Sequence, residues 1–275
     1  MSAPASDLCT LGADFDPGVR EDARRRLASL KGECAVLLAV ESGSRAWGFP
    51  SPDSDYDCRF LYARSRESYL SLFSQRDVIE FPLERVLDIN GWDLAKALRL
   101  LLKGNAVVIE WLTSPLVYEG DAAFRAGLLE LAGQVAKPAL IARHYLHLGE
   151  RQRRTYFADV RAVPLKKIFY ALRPAIALRW LRMHPEAAVA PMRFQALVAE
   201  SDLPGEARQV IDDLLEKKSH TRELGRGPLP PVIGALIDAE YEEARRAWPD
   251  RAAKVSPMER DLADAFFRKW IPERV

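Results

Sequence analysis

Glu41 to Tyr62 reads ESGSRAWGFPSPDSDYDCRFLY, and this stretch decides the fold. Just ahead of it, Cys34 to Val40 (CAVLLAV) is an apolar run of strand length. The run ends in Gly43-Ser44, small residues whose backbone N–H groups an anion can approach closely, and the turn that follows can add helix-N-terminus polarity. The middle is dense in Gly, Ser, Pro and Asp, so it is loop with room for one helical turn. Asp55 and Asp57 then open a second strand, Tyr56 to Tyr62. Side chains alternate along a strand, so these two acids share a face, with Cα atoms about 6–7 Å apart. Two bare carboxylates this close repel, and a shared divalent cation resolves the repulsion. Mg²⁺ takes oxygen ligands, keeps several waters and is completed by substrate phosphates. The pattern thus predicts a metal-bound phosphate substrate. D-x-D alone also suits a turn built on Asp and Ser hydrogen bonds. The small-residue turn after an apolar strand, followed by D-x-D at the next strand's start, is the specific feature.

Outward from this core, the chain changes character near residue 135. Before it, β-like runs alternate with helical ones. Pro17 to Leu30 reads as a helix capped by Asp16, and a short helix is expected around Glu67 to Phe73. Val78–Phe81 and Arg85–Ile89 read as strands, and Leu94–Leu102 as a strong helix stopped by Lys103-Gly104-Asn105. A further helix spans about Val107 to Leu112. After residue 135 nearly everything reads as helix, with starts near Pro138, Leu165, Met192, Gly205, Pro231 and Pro257. Pro174 is expected to kink the helix that holds it. The fold class is therefore α+β: a small mixed β-sheet domain over residues 1–135, then an all-helical domain over 136–275 that completes a cleft.

Composition is that of an ordinary globular protein, 48% apolar and 29% charged over 275 residues. No apolar run approaches the roughly 20 residues of a membrane span, and MSAPASDLCT lacks the features of a secretory signal. Cys9, Cys34 and Cys58 are scattered and odd in number, which predicts free thiols, no disulfide partner and a cytoplasmic location. The net charge of +1 hides a basic block: Ile141 to Arg182 holds ten Lys and Arg against two acids. Such a block suits a triphosphate or RNA, or equally a solvated helical face balanced by acids elsewhere.

Gly43-Ser44 followed by Asp55-x-Asp57 resembles the signature of polymerase-beta-like nucleotidyltransferases. More narrowly, ESGSRAWGFPSPDSDYDCRF resembles a bacterial and phage family of predicted nucleotidyltransferases, some of them linked with RNA ligases. The likeness continues through Leu87–Pro115 (LDINGWDLAKALRLLLKGNAVVIEWLTSP) and Lys166–Pro174 (KKIFYALRP). It implies a third acid on a later strand of the sheet, and Asp88 in RVLDI fits. Its rival, Asp93, reads better as the N-cap of the following helix. The implied metal ligands and catalytic residues are Asp55, Asp57 and Asp88, holding Mg²⁺ or Mn²⁺.

The same resemblance implies that Gly43, Ser44 and Arg45 hold the triphosphate, helped by Lys166, Lys167 and Arg173 from the helical domain. Lys166 and Arg173 stand seven apart on one predicted helix and share a face. Each has a bland alternative: an exposed ion pair for Arg45, a solvated basic face for the other three. Asp53 is expected to shape the turn, Trp47 and Phe49 to pack the loop in preference to stacking on a base, and Glu110 to find a partner in Lys96, Arg99 or a helix N-terminus, with a role in the site as the alternative. His144, His147 and Glu150 share a helical spacing but no zinc motif.

The expected activity is Mg²⁺-dependent transfer of a nucleoside monophosphate from an NTP to an acceptor, releasing pyrophosphate. An RNA end is the favoured acceptor, with a protein hydroxyl or a small molecule as alternatives. The competing classes are an inactive nucleotide- or RNA-binding protein on the same fold, and an interaction protein built on the helical half. Nucleotide preference and oligomeric state stay open.

Overall fold

The strand pair that opened the reading forms the centre of a five-stranded sheet. The structure, a computed structural model, describes residues 8–13, 15–222, 224–249 and 254–275. The first ten residues, on which the absence of a secretory signal was read, lie mostly outside them. In chain order the first half contains α1 (Pro17–Ala28), β1 (Ala35–Glu41), α2 (Gly43–Ala46), β2 (Tyr56–Ala63), α3 (Arg66–Tyr69), β3 (Val78–Glu80), β4 (Leu87–Asp93), α4 (Leu94–Leu102), α5 (Ala106–Thr113), β5 (Val117–Gly120) and α6 (Ala122–Val135). The sheet order is β3-β4-β2-β1-β5. β2 and β4 run parallel, while the other pairings are antiparallel. The sheet is thus mixed, as expected.

Alternation along β2 sorts its residues between two layers. Cys58, Phe60 and Tyr62 join Ile89 and Leu87 of β4 under α1, through Val19, Ala23 and Leu27. Leu61 and Ala63 turn to the opposite face and pack with α4, α5 and α6. Asp57 and Arg59 have the parity of Leu61, so they stand on this second face, beyond the end of its apolar cover.

The second half contains α7 (Pro138–Tyr156), β6 (Val163–Pro164), α8 (Leu165–Met183), α9 (Phe194–Ala199), α10 (Gly205–His220), β7 (Arg226–Gly227), α11 (Pro231–Ala247) and α12 (Pro257–Trp270). α8 is a single helix through Pro174. Its middle is buried on all sides against α7, α9 and α11. One apolar cluster runs from Leu38 and Val40 of β1 to Ile237 and Tyr241 of α11, so the core is continuous across residue 135. α12 does not stay with the helical half. It folds back on α4 and α6, where Phe266 and Trp270 meet Phe124. No helix of the described residues is long and apolar enough to cross a membrane, and the three cysteines are free.

β5, α6 and the short pair β6 and β7 were not read from the sequence, and β4 departs from the reading in its bounds. Arg85–Ile89 was expected, but the strand spans Leu87–Asp93. Asn90-Gly91 looks like a turn pair, yet Gly91 lies mid-strand against the Phe60 ring. A Cβ at Gly91 would lie 2.2 Å from Phe60 Cζ, so the glycine makes room for a neighbour rather than for a turn. Asp88 consequently stands near the start of its strand and not at its end. Gly91→Ala is expected to lower the unfolding free energy by about 1–3 kcal/mol, as overpacking does, and a urea transition will measure it.

Candidate active site

Two acids face each other where β2 and β4 begin, and a third stands just ahead of β2. Parallel pairing sets Asp57 directly opposite Asp88. Adjacent strands lie about 4.8 Å apart, closer than two carboxylates tolerate without a cation. Asp55, two residues before Asp57, is close enough for its charge to act on the Asp57 carboxyl. Burial pushes the Asp57 carboxyl up from its ordinary value; Arg59 opposes this, and Asp88 and Asp55 reinforce it.

Arg59 is the cation these acids share. Its Nη2 donates to Asp57 Oδ1 at 2.8 Å and to Asp88 Oδ2 at 2.7 Å. Its Nη1 donates to the Cys58 and Asp88 carbonyls, both at 3.0 Å. Sequence reasoning missed this residue, although the alternation that pairs Asp55 with Asp57 places Arg59 next on the same face.

The Gly43-Ser44 turn closes the other side. Gly43 sits at φ 59° in α2, and a Cβ there would fall 2.2 Å from Asp57 Oδ2. Only a residue without a side chain lets the Asp57 carboxylate lie over this turn. Below it, buried Glu41 accepts the Asp57 N–H at 2.9 Å and the Tyr118 hydroxyl at 2.5 Å. Burial pushes the Glu41 carboxyl up to about 7, against the lowering effect of those two hydrogen bonds. Glu41 therefore fixes the backbone at the base of the carboxylate pair. The sequence signal was present: an acid closing an apolar strand needs a buried partner.

The other expected phosphate contacts divide. Ser44 Oγ donates to Ser54 Oγ at 3.2 Å, and Ser54 also takes the Ser51 N–H, so the loop is braced by hydroxyls. Arg45 donates to the Ser54 and Asp55 carbonyls and lies 3.6 Å from the Tyr56 ring centre. Lys166 crosses from α8 to Asp53 at 2.5 Å, which holds the Asp53 carboxyl below its ordinary value. Lys167 faces the Tyr156 and Tyr170 rings. Lys218 of α10, absent from the sequence reading, is buried and donates to the Phe49 carbonyl at 2.7 Å. Burial brings its ammonium down to about 8, with Lys166 adding to the effect. Trp47 and Phe49 pack the loop as expected, against Tyr170, Phe169 and Phe194.

Arg173 lies 4.9 Å from the ring centre of Trp47, the residue that closes α2, and its donors turn inward. It is 2% exposed and donates to Glu110 Oε1 at 2.6 Å. Tyr145 donates to the same oxygen at 2.8 Å. Burial pulls the guanidinium down, and Glu110 and Tyr145 return it above its ordinary value. On the same helix Lys166 is partly exposed on Asp53 while Arg173 is enclosed against α5 and α7, where a phosphate could enter only by breaking a buried ion pair. The Glu110 partner is thus neither Lys96, which pairs with Asp77, nor Arg99, but an arginine 63 residues away. Much of the basic block is likewise spent internally: Arg153 on Asp238, and Arg179 and Arg182 on Glu240. Glu150, once considered beside His144 and His147, pairs with Arg245.

The donor set suits a hard divalent ion. Asp55, Asp57 and Asp88 offer only oxygens, and Arg59 takes one oxygen from each of the last two. Among the described residues no three Asp, Glu, His or Cys side chains already converge as a metal cage. Asp93 is the N-cap it was expected to be, accepting the Ala95 N–H at 2.8 Å.

Residues 19–269 match the model of the RNA repair pathway DNA polymerase beta family. The chain belongs to this family. It is also 39% identical over 227 residues to the Bacillus subtilis (strain 168) uncharacterized protein YcgL, an overlap of 82% of this chain and 86% of that one. The family match spans the sheet and nearly all the helical half, so the likeness first drawn from Gly43-Ser44 and Asp55-x-Asp57 holds for the whole fold. Within this family member, Arg173 acts as a buried tie between α5, α7 and α8. Arg173→Gln is expected to cost about 3–5 kcal/mol in urea unfolding, since it strands Glu110. Glu110→Gln with Arg173→Met should recover part of that loss in a double-mutant cycle.

Proposed function

We propose that this protein is a divalent-metal-dependent nucleotidyltransferase that joins a nucleoside monophosphate to an RNA end. The observation that carries the reading is the in-register pair Asp57 and Asp88 on parallel strands, with Asp55 just ahead of β2 and the Gly43-Ser44 turn against Asp57. The choice of RNA rests on the family's description as part of an RNA repair pathway. It gains nothing from the basic block, whose charges are largely paired within the chain.

In this reading Asp55, Asp57 and Asp88 hold Mg²⁺ or Mn²⁺. Bound there, the ion supplies charge neutralisation at the α-phosphate and at the leaving pyrophosphate. The rest falls to the protein. The hydroxyl and backbone of Ser44 hold the triphosphate in line, and Lys166 is near enough, on Asp53, to exchange that partner for a phosphate. An acceptor hydroxyl oxygen bonds to the α-phosphorus as the bond from phosphorus to the pyrophosphate oxygen breaks. The proton of that hydroxyl passes to an Asp88 carboxylate oxygen. Glu41 takes no part in the transfer; it holds the Asp57 backbone in place.

Purified protein with Mg²⁺, each of the four labelled NTPs and a panel of RNA ends should release pyrophosphate and label one class of end. Asp57→Asn is expected to lower turnover by about 100-fold or more without unfolding the chain. Gly43→Ala should approach that loss, because its Cβ claims the place of the Asp57 carboxylate. Silence with all NTPs and all acceptors, alongside nucleotide binding that survives Asp57→Asn, would instead mark an inactive binding protein.

A further inference from the structure

Arg59 is bound in a way that a merely structural arginine does not require. Its Nη2 spans the two carboxylates, and its Nη1 is tied to a carbonyl on each of the two strands. The side chain is 18% exposed, and the two acids are about one-third exposed, so the bridge is open to solvent on one side. Such a bridge occupies the ground between Asp57 and Asp88 that a divalent ion would share.

The geometry points to Arg59 as a resident counter-cation that closes the carboxylate pair to free divalent ions and yields to an ion that arrives with a nucleotide. The inference rests on the metal-dependent reading above. Its physical basis is a competition for the same oxygens. A free ion must break two charge-assisted hydrogen bonds to enter, and the released guanidinium has nowhere comparable to go. An ion that carries a triphosphate brings a new anionic partner for that guanidinium. Arg59 lies on the same face of β2 as Asp57, so the phosphates would arrive beside it. The device keeps the like charges paired before substrate binds, and it couples metal affinity to nucleotide. Arg59 is thus assigned as a positioning residue that sets the order of binding.

Mn²⁺ binding, followed by the electron paramagnetic resonance signal of the free ion, tests this without relying on turnover. The arms are wild type, Arg59→Gln and Arg59→Lys, each with and without α,β-methylene-ATP. Wild type should bind Mn²⁺ weakly alone and more tightly with the analogue. Arg59→Gln should bind Mn²⁺ alone about tenfold more tightly, the equivalent of one charge-assisted contact, and gain little from the analogue. Arg59→Lys keeps the charge but loses the fork and its carbonyl ties, so it should fall between the two; it also serves if the Gln variant folds poorly. Adding Asp57→Asn to Arg59→Gln should remove the tight site. If Arg59→Gln binds no more tightly than wild type, or Arg59→Lys matches wild type, the proposal is overturned while the metal reading stands. If neither wild type with the analogue nor Arg59→Gln binds Mn²⁺ at all, the metal reading falls and takes this proposal with it.

Discussion

Two like charges held side by side by backbone pairing are the constraint on which this site depends. The parallel register of β2 and β4 leaves Asp57 and Asp88 no freedom to move apart. A cation must therefore stand between them, and in the protein by itself that cation is Arg59. The surrounding features follow from this placement. Gly43 lacks a side chain because Asp57 lies over it, and Glu41 secures the Asp57 backbone from below. Gly91, lacking a side chain, leaves room for the Phe60 ring on the opposite face of the sheet.

How much of this was legible in the sequence depended on how local each signal was. The caps at Asp16 and Asp93, the strand ahead of Gly43 and the helix starts of the second half are set by neighbouring residues, and the structure carries them. Asp88 was placed beside Asp57 by family likeness, and the register agrees. Partners distant in sequence were not legible. Nothing near Glu110 names Arg173, and nothing near Phe49 names Lys218. The strand read over Arg85–Ile89 stopped short for the same reason: that Gly91 belongs mid-strand shows only against Phe60, thirty-one residues back. Arg59 differs from these, since period-two alternation alone would have put it with the acids.

The basic block teaches a related lesson about charge. A local excess of Lys and Arg between Ile141 and Arg182 looks like an anion-binding surface when read along the chain. In three dimensions Asp238 and Glu240 of α11 lie across from it and absorb three of its arginines, while Glu110 absorbs a fourth. What remains directed at the carboxylate end is narrower: Lys166 on Asp53 and Lys218 on the loop before it. The electrostatic character of the site is thus set by Arg59 and Arg45 beside the acids and by a few cations delivered from two helices, not by the bulk charge of the helical half.

The return of α12 to α4 and α6 has a mechanical consequence. The chain leaves the sheet half at Ala136 and comes back to it through this last helix, where Pro272 accepts the Arg66 N–H at 2.8 Å. The helices between are therefore a span anchored at both ends rather than an arm hung from one hinge. The span is held along its length as well, by the apolar cluster it shares with the sheet, by Arg173 on Glu110, and by Lys166 and Lys218 on the loop ahead of β2. The helical half is thus fastened to the sheet half at its middle, beside the carboxylate end, and at both ends.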